Sequence, residues 1–405
     1  MINRKVTYRM YPNKKQADSL SDMFGIHLRV YNAALEERIR MYREENKSLS
    51  FSDQCKILTQ WRQQHASLVA INAQSLQVTI KRLDLAFQAF YRRLKLGETP
   101  GFPRFKSSKR FSGWGYKTHG DGWRLFEGSN EKHGKIRLSG IGMLRLRGKA
   151  RTPGAPKTCE IIYKAGKWYA SVTMEREPNR SMGDKAIAFD WGVEKFLTLH
   201  DSKGHTEFID NPRHLKSALK KLKMLQQSIA RKTNKSTNNR KKAVEAFARE
   251  HVKITNRRRN FHHQLAARMV KENSLIAAET LSVKSMTVSA GIRKRGLNRE
   301  ILSTAPTQFY HLLKSKAEEA GALWIEIPTR QVKPSQTCHC CGAKMKKSLS
   351  ERWHDCSCGA SCDRDENASK VILNWALNWA SGQELVEVGS RRSFATLNQE
   401  TYTIL

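Results

Sequence analysis

The sequence predicts a multidomain α+β protein: a small β barrel with a helical insertion, then an α/β domain into which a cysteine-rich finger is set. Three observations support this. Apolar residues alternate near the N-terminus and again between about residues 135 and 174, whereas the stretch after the first strand has helical spacing. Beyond about residue 183, short apolar runs ending in a carboxylate alternate with helical stretches, the pattern of an α/β layer. Six of the eight cysteines lie between Cys338 and Cys362.

At 405 residues the chain has room for two or three domains. Hydrophobic content of 39% and charged content of 27% are ordinary for a globular protein, but 73 Lys+Arg against 37 Asp+Glu leave a net charge of +36. Folding gains nothing from such self-repulsion, so the charge implies a polyanionic partner, of which nucleic acid is the common one. No apolar run approaches 18 residues and no signal-peptide core is evident, so neither a spanning nor a secreted protein is expected, and no membrane partner.

Val6, Tyr8 and Met10 fall on one face of a strand over residues 4–11, which Pro12-Asn13 ends. Leu20, Met23, Phe24, Val30, Tyr31, Ala34 and Leu35 then form helical stripes, and Leu76, Ile80, Leu83, Phe87, Phe90 and Leu94 mark a second helix. Residues 14–100 are therefore the helical insertion. Between Gly101 and Phe126 the aromatics Phe102, Phe105, Phe111, Trp114, Tyr116 and Trp123 interleave with cations, Arg104 and Lys106 among them. Rings for stacking beside cations for phosphate are the ingredients of nucleic-acid contact, and about half of these rings are expected to fill the β core instead. Strands are expected at 135–138, 143–147, 159–163 and 168–174, the last two joined by a tight turn.

After a linker at 178–183, an apolar strand ends in Asp190 and is followed by strands at 196–200 and 206–209. Between Arg213 and Arg259 lie 16 Lys/Arg and two acids, Glu245 and Glu250. Leu215, Leu219, Leu222, Leu225 and Ile229, then Val244, Phe247 and Ile254, predict two helices joined by residues 232–239. This charge density suits a hairpin that clamps nucleic acid, with Arg257, Arg258 and Arg259 as candidate phosphate contacts. A second strand ends in Glu279, then a helix at 301–320 and a strand at 323–327 are expected. Ala368, Val371, Ile372, Trp375 and Ala376 place Asp365 at the start of a buried helix, and from Ser381 the chain reads as a mobile polar tail.

The cysteines form two turns, Cys338-His-Cys-Cys341-Gly342 and Cys356-Ser-Cys358-Gly359. Each puts two thiolates on one side of an ion, as tetrahedral Zn²⁺ requires. Cys338, Cys341, Cys356 and Cys358 are the expected ligands of one Zn²⁺. The second pair is one residue tighter than usual, so Cys340, Cys362, His339 and His354 stay open as alternatives. Such cysteines suit a metal in a reducing compartment better than disulfides.

Asp190, Glu279 and Asp365 come from two strand ends and a helix start. Each alone reads equally well as a cap or turn residue. Three converging carboxylates repel one another unless cations lie between them, and oxygen-only donors select Mg²⁺ or Mn²⁺. Two such ions about 4 Å apart serve in-line phosphodiester hydrolysis. The order of strands and helices fits a ribonuclease-H-like fold.

Together these motifs resemble the TnpB (OrfB) family, transposon-encoded relatives of type V CRISPR effectors. The resemblance rests on Asp190-Trp-Gly192, the Glu279 strand, the finger and Asp363-Arg-Asp365-Glu-Asn367-Ala. It extends over nearly the whole chain through Tyr11-Pro12, Val30-Tyr31-Asn32, Gly101-Phe-Pro-Arg-Phe105 and Ser335-Gln-Thr-Cys338. It implies an RNA-guided DNA endonuclease of an insertion sequence, working in a bacterial or archaeal cytosol at the nucleoid. Its guide RNA would come from the transposon end, and it would cut double-stranded DNA beside a short transposon-adjacent motif. It implies two Mg²⁺ or Mn²⁺ ions on Asp190, Glu279 and Asp365, with Asp363 in support. Residues 1–13 and 101–178 would be the wedge barrel and 14–100 the recognition lobe, with the motif reader around Phe51 and Gln77. Residues 181–335 and 363–380 would be the RuvC-like nuclease domain, 336–362 a zinc-finger insert that binds target nucleic acid, and 381–405 the tail. A nuclease-inactive RNA-guided repressor is the second reading, against which all three acids stand. A strand-transferring transposase is the third, against which stand the spacing of the acids and the finger placed before the last of them.

Overall fold

The computed structural model describes residues 1–126, 134–147, 154–235, 237–288, 291–348 and 351–387. The chain divides into two compact units, Met1–Glu177 and Pro178–Leu405.

The first unit runs β1 (Ile2–Tyr11), α1 (Lys14–Glu45), α2 (Phe51–Gln64), α3 (Ala66–Val69), α4 (Ala73–Lys95), β2 (Gly113–Tyr116), β3 (Trp123–Phe126), β4 (Lys135–Leu138), β5 (Gly142–Arg147), β6 (Ala155–Lys164) and β7 (Lys167–Arg176). Capping boxes open the two long N-terminal helices: Asn13 with Gln16 on α1 and Ser50 with Asp53 on α2. The strands pair in the order β2-β6-β7-β1-β5-β4-β3, antiparallel throughout. The expected barrel is therefore an open sheet whose ends, β2 and β3, are not joined among the described residues. Helices fill the face that a closed barrel would cover itself: Leu20, Val30, Leu76 and Ile80 share one core with Trp114, Ile136, Leu144 and Val172. Phe111, Trp114, Tyr116 and Trp123 belong to that core, while Phe102 and Phe105 are about half exposed.

The second unit runs β8 (Lys185–Trp191), β9 (Lys195–Asp201), β10 (Thr206–Asp210), α5 (His214–Ala230), α6 (Asn238–Glu272), β11 (Asn273–Glu279), α7 (Val283–Thr287), α8 (Ile292–Thr304), α9 (Pro306–Ala320), β12 (Leu323–Ile327), α10 (Thr329–Val332), β13 (Trp353–Asp355), β14 (Ser361–Asp363) and α11 (Arg364–Glu387). Its main sheet has the order β10-β9-β8-β11-β12. β8, β9 and β10 form an antiparallel meander, and β11 lies parallel to both β8 and β12. One face packs Phe189, Ile276 and Trp324 against Leu265, Phe309 and Leu313 of α6 and α9. The other packs Ala188, Ala277 and Ile325 against Ile372, Leu373 and Ala376 of α11. The sheet is thus covered on both sides, as parallel strands require.

Two boundaries differ from expectation. The single helix at 301–320 is broken, because Ala305 adopts a left-handed φ of 50° and Pro306 starts α9 anew. Proline has no N–H to give the preceding turn, so apolar spacing carries across a break it cannot report. α11 also continues to Glu387, past the point where the tail was expected to begin. The rest of that expected tail, 388–405, lies outside the described residues. Among the described residues no helix is long and apolar enough to cross a membrane.

His27 on α1 gives the first unit a pH dependence. Its ring stacks on Trp114 at 5.3 Å and 8°, and its Nδ1 lies 2.8 Å from Thr79 Oγ1. Burial, then the Arg82 charge, push its pKa from 6.5 down to about 3. The folded state keeps it neutral, whereas the unfolded chain protonates near 6.5. Stability is therefore full above that value and is lost as pH falls towards 3, by roughly 4–5 kcal/mol at the limit. Between pH 7 and pH 4, chemical unfolding of the wild type should lose about 3 kcal/mol more than that of His27→Gln. Parallel pH profiles would contradict a buried neutral imidazole.

Candidate metal centres

Asp190 and Glu279 leave the sheet side by side. β8 and β11 run parallel with Phe189 opposite Ala278, so the next residue on each strand is a carboxylate. Alternation puts both on the face of Ala188 and Ala277, which α11 covers. α11 brings Asp365 there in its first turn. The three expected acids are thereby brought together. Burial, then Glu279 and Asp365, hold the Asp190 carboxyl well above the usual carboxylate range, with Arg364 opposing. Burial and Asp365 raise Glu279 to about 7. Carboxylate oxygens are the donor type that hard divalent cations such as Mg²⁺ or Mn²⁺ take. Among the described residues, however, the four cysteines, not these acids, have donor atoms already gathered closely enough to hold an ion.

Asp363 has a different place. Its Oδ1 accepts from the N–H groups of Asp365 (2.9 Å) and Glu366 (3.4 Å), which caps α11. Its Oδ2 is 2.9 Å from Lys195 Nζ. Against its partial burial, Lys195 and the Asp365 N–H hold its carboxyl below the usual range. Asp363 thus fixes where the helix starts and hence where Asp365 points.

Sequence reasoning missed three neighbours of the acids. Lys195 sits in a strand with no local sign of its partner. Arg364 was visible only as the middle of Asp-Arg-Asp; its Nη1 donates to the Glu351 carbonyl at 2.9 Å, and its Nη2 lies 3.5 Å from Asp365 Oδ1. Tyr310 on α9 reads as one more apolar-stripe residue. It is buried, and burial followed by Glu279 and Asp190 raises its hydroxyl far above the usual range.

The four cysteines also converge. Cys338 Sγ lies 3.7 Å from Cys358 Sγ and Cys341 Sγ 3.5 Å from Cys356 Sγ, and all four sulfurs are within 4.8 Å of one another. Zn–S bonds of about 2.3 Å in a tetrahedron put the sulfurs about 3.8 Å apart, so the set fits one Zn²⁺. Both turns are closed by backbone bonds: Gly342 N–H to the Cys338 carbonyl at 3.0 Å and Gly359 N–H to the Cys356 carbonyl at 2.9 Å. Gly342 and Gly359 take φ of 73° and 92°, which glycine allows without strain. The Cys358 N–H, then the Cys341 thiol, lower the Cys356 thiol to about 6, a thiolate at neutral pH. The tight Cys-x-Cys pair places both of its sulfurs in the same cluster as those of Cys338 and Cys341. None of the alternatives belongs to this cluster: Cys340 is exposed, Cys362 is buried on β14, His354 Nδ1 lies 2.6 Å from Lys347 Nζ, and His339 Nδ1 lies 2.9 Å from Asn367 Oδ1.

The candidate nucleic-acid contacts fall on both units. Gln77 on α4, Phe102, Arg104 and Phe105 are exposed, while Phe51 is half-buried with Lys81 Nζ 4.8 Å over its ring. Lys106 is tied to α1, its N–H donating to Asn32 Oδ1 at 2.8 Å and its carbonyl accepting from Asn32 Nδ2 at 2.9 Å. In the second unit α5 and α6 form the basic hairpin, with Lys221 3.0 Å from Glu250 across it. Arg257 and Arg259 are exposed. Arg258 is half-buried and donates to the Ser303 carbonyl at 2.9 Å, so it also packs α8 against α6.

Comparison with known proteins agrees with this architecture. The fold is of the Cas12f type. A chain from the structure titled "Cryo-EM structure of the Cas12f1-sgRNA-target DNA complex" superposes with a TM-score of 0.58 at 12% identity, covering 92% of this chain and 99% of that one. Three family models match: "Probable transposase" over residues 169–290, "Cas12f1-like, TNB domain" over 307–372 and "Helix-turn-helix domain" over 1–47. Among full-length relatives are two proteins named "Putative RNA-guided DNA endonuclease". The one from Streptomyces pristinaespiralis is 32% identical, with 92% of this chain and 89% of that protein covered. The other, InsQ of Escherichia coli (strain K12), is 28% identical, with 90% of each covered. The chain belongs to the TnpB (OrfB) family.

Metal analysis of protein prepared without chelators should give about one zinc per chain, and Cys338→Ser with Cys341→Ser should remove it. Zinc-free wild-type protein would return the cysteine turns to plain thiols.

Proposed function

We propose that the chain is an RNA-guided DNA endonuclease of an insertion sequence. It takes a guide RNA made from the transposon end and cuts double-stranded DNA beside a short transposon-adjacent motif. The observation that carries this reading is the convergence of Asp190, Glu279 and Asp365 at the carboxyl ends of β8 and β11, beneath the first turn of α11. The sheet order, an antiparallel meander continued by two parallel strands, supports a ribonuclease-H-like nuclease domain.

In this reading the three carboxylates hold two Mg²⁺ or Mn²⁺ ions, which when bound stabilise the attacking and leaving oxygens of in-line phosphodiester hydrolysis. The chain's own residues place the carboxylates. Parallel register fixes Asp190 beside Glu279, and the Lys195–Asp363 pair fixes the helix start that presents Asp365. Arg364 sets a positive charge beside Asp365 and Asp190. Tyr310 and Phe189 pack edge-to-face in the layer on the far side of the sheet.

Residues 1–13 with 101–178 would act as the wedge and 14–100 as the recognition lobe, with Phe51 and Gln77 near the motif reader. The finger at 336–362 would bind target nucleic acid. Bases would be read by pairing with the guide, leaving the protein to grip backbone through Arg104, Lys106 and the α5–α6 hairpin.

Asp190→Ala should abolish cleavage of both DNA strands while guided binding stays within about two-fold, since the basic surfaces are untouched. EDTA should stop the wild type, and Mg²⁺ or Mn²⁺ should restore it. Cutting of either strand by Asp190→Ala at near wild-type rate would sink a single-site nuclease. For the hairpin, Arg257→Ala with Arg259→Ala should lower the slope of log affinity against log salt by about one per lost phosphate contact, equally for all target sequences. An unchanged slope would make the hairpin a solvated face.

A further inference from the structure

One buried side chain joins the acidic cluster to the cysteine cluster. Asn367 has no exposed surface and follows Asp365 by two residues on α11. Its Nδ2 donates to the carbonyls of Thr337 (2.7 Å) and Pro334 (3.3 Å), which leaves Oδ1 facing His339. That oxygen accepts from the His339 N–H at 3.1 Å and lies 2.9 Å from His339 Nδ1. An amide oxygen can only accept, so His339 Nδ1 carries a proton. The His339 carbonyl accepts from Asn374 Nδ2 at 3.1 Å, two turns further along α11. Both backbone polar groups of His339 and its ring are thus held by one helix. His339 is the residue directly after Cys338, inside the first cysteine turn.

The helix start is also held from the other half of the finger. The Arg364 N–H donates to the Arg352 carbonyl at 2.9 Å, and Arg364 Nη1 reaches the Glu351 carbonyl at 2.9 Å. The first cysteine turn buries Cys338, while Cys340, Cys341 and Gly342 are exposed and add little packing. Its shape is set by its backbone bonds, by the four sulfurs and by the Asn367 contacts. What holds the sulfurs together therefore also holds His339, and through it the first turn of α11.

We propose that Asn367 is a positioning residue that couples the two metal centres. An ion on the four cysteines fixes His339, His339 fixes Asn367, and Asn367 fixes the turn that presents Asp365. The inference rests on the acidic-site reading given above. Linkage makes the coupling reciprocal: zinc on the cysteines strengthens divalent-cation binding at the acids by the same factor by which that cation strengthens zinc. A clamp of buried hydrogen bonds predicts a factor of roughly ten, within the 10–100-fold range typical when groups supporting a metal site are lost.

The test uses full-length protein, with Mn²⁺ binding followed by electron paramagnetic resonance, zinc per chain by metal analysis, and amide exchange of residues 364–372. Asn367→Ala and the milder His339→Ala should keep about one zinc per chain. Asn367→Ala should bind Mn²⁺ about ten-fold more weakly. His339→Ala, which keeps both backbone contacts, should bind it measurably more weakly too, but by less. Both should exchange faster in that segment alone. Zinc-stripped wild type should match Asn367→Ala, and stripping zinc from Asn367→Ala should add little further loss. Unchanged Mn²⁺ affinity and exchange in both zinc-loaded variants would overturn the proposal. So would losses that simply add, or faster exchange spread over the whole sheet, which marks a packing residue. If Asn367→Ala does not fold, His339→Ala decides. If wild type and Asp190→Ala bind Mn²⁺ alike, the acidic-site reading fails, and the exchange of residues 364–372 with and without zinc decides the coupling by itself.

Discussion

Two parallel strands that end together in carboxylates create an electrostatic cost that the rest of the second unit is built to manage. β8 and β11 cannot change register without turning Asp190 or Glu279 to the other face, because side chains alternate along a strand. Their apolar stretches, Ala186 to Phe189 and Leu275 to Ala278, are buried on both faces, which locks that register. α11 then adds a third acid to the same place. Burial and mutual repulsion raise the Asp190 and Glu279 carboxyls together, a condition that cations relieve and isolated protein does not. The helix start is accordingly over-determined, by Lys195 and Asp363 on one side and by Asn367, His339 and the Arg364 contacts on the other.

Charge is managed differently at the surface. The hairpin of α5 and α6 carries many more cations than its few ion pairs with Glu245 and Glu250 can neutralise. Pairs whose cation stays in solvent contribute little to stability, so the hairpin's cations are better explained by a partner than by the fold. In the first unit the aromatic segment divides between two duties. Trp114 and Trp123 hold the sheet to its helices, and Phe102 and Phe105 stay exposed on either side of Arg104.

What could be read from sequence was whatever chemistry demands of residue type and spacing. Thiols in two tight turns, and an acid directly after each of two apolar strands, are local patterns; the structure gathers the four thiols, and parallel pairing sets the two strand ends side by side. Interactions between distant residues of individually ordinary type were not legible. Whether the first sheet closes depends on pairing between β2 and β3, which no local pattern reports. Arg38 and Asp84 look like solvated helix charges, yet they form a buried pair at 3.1 Å, with Gln54 2.6 Å from Arg38 Nε. Asn367 stood in plain view within the Asp-Arg-Asp-Glu-Asn motif. Its partners lie about 30 residues earlier, so its function as a clamp needed the fold.

Asp190, Glu279 and Asp365 are proposed to form a divalent-metal site. Anomalous diffraction at the manganese edge, on crystals of the full chain grown with Mn²⁺, tests it most directly. Two manganese peaks about 4 Å apart, bounded by these three carboxylates, should appear, with zinc separately on the four cysteines. Manganese peaks elsewhere on the chain, or none between Asp190, Glu279 and Asp365 under saturating Mn²⁺, would contradict it.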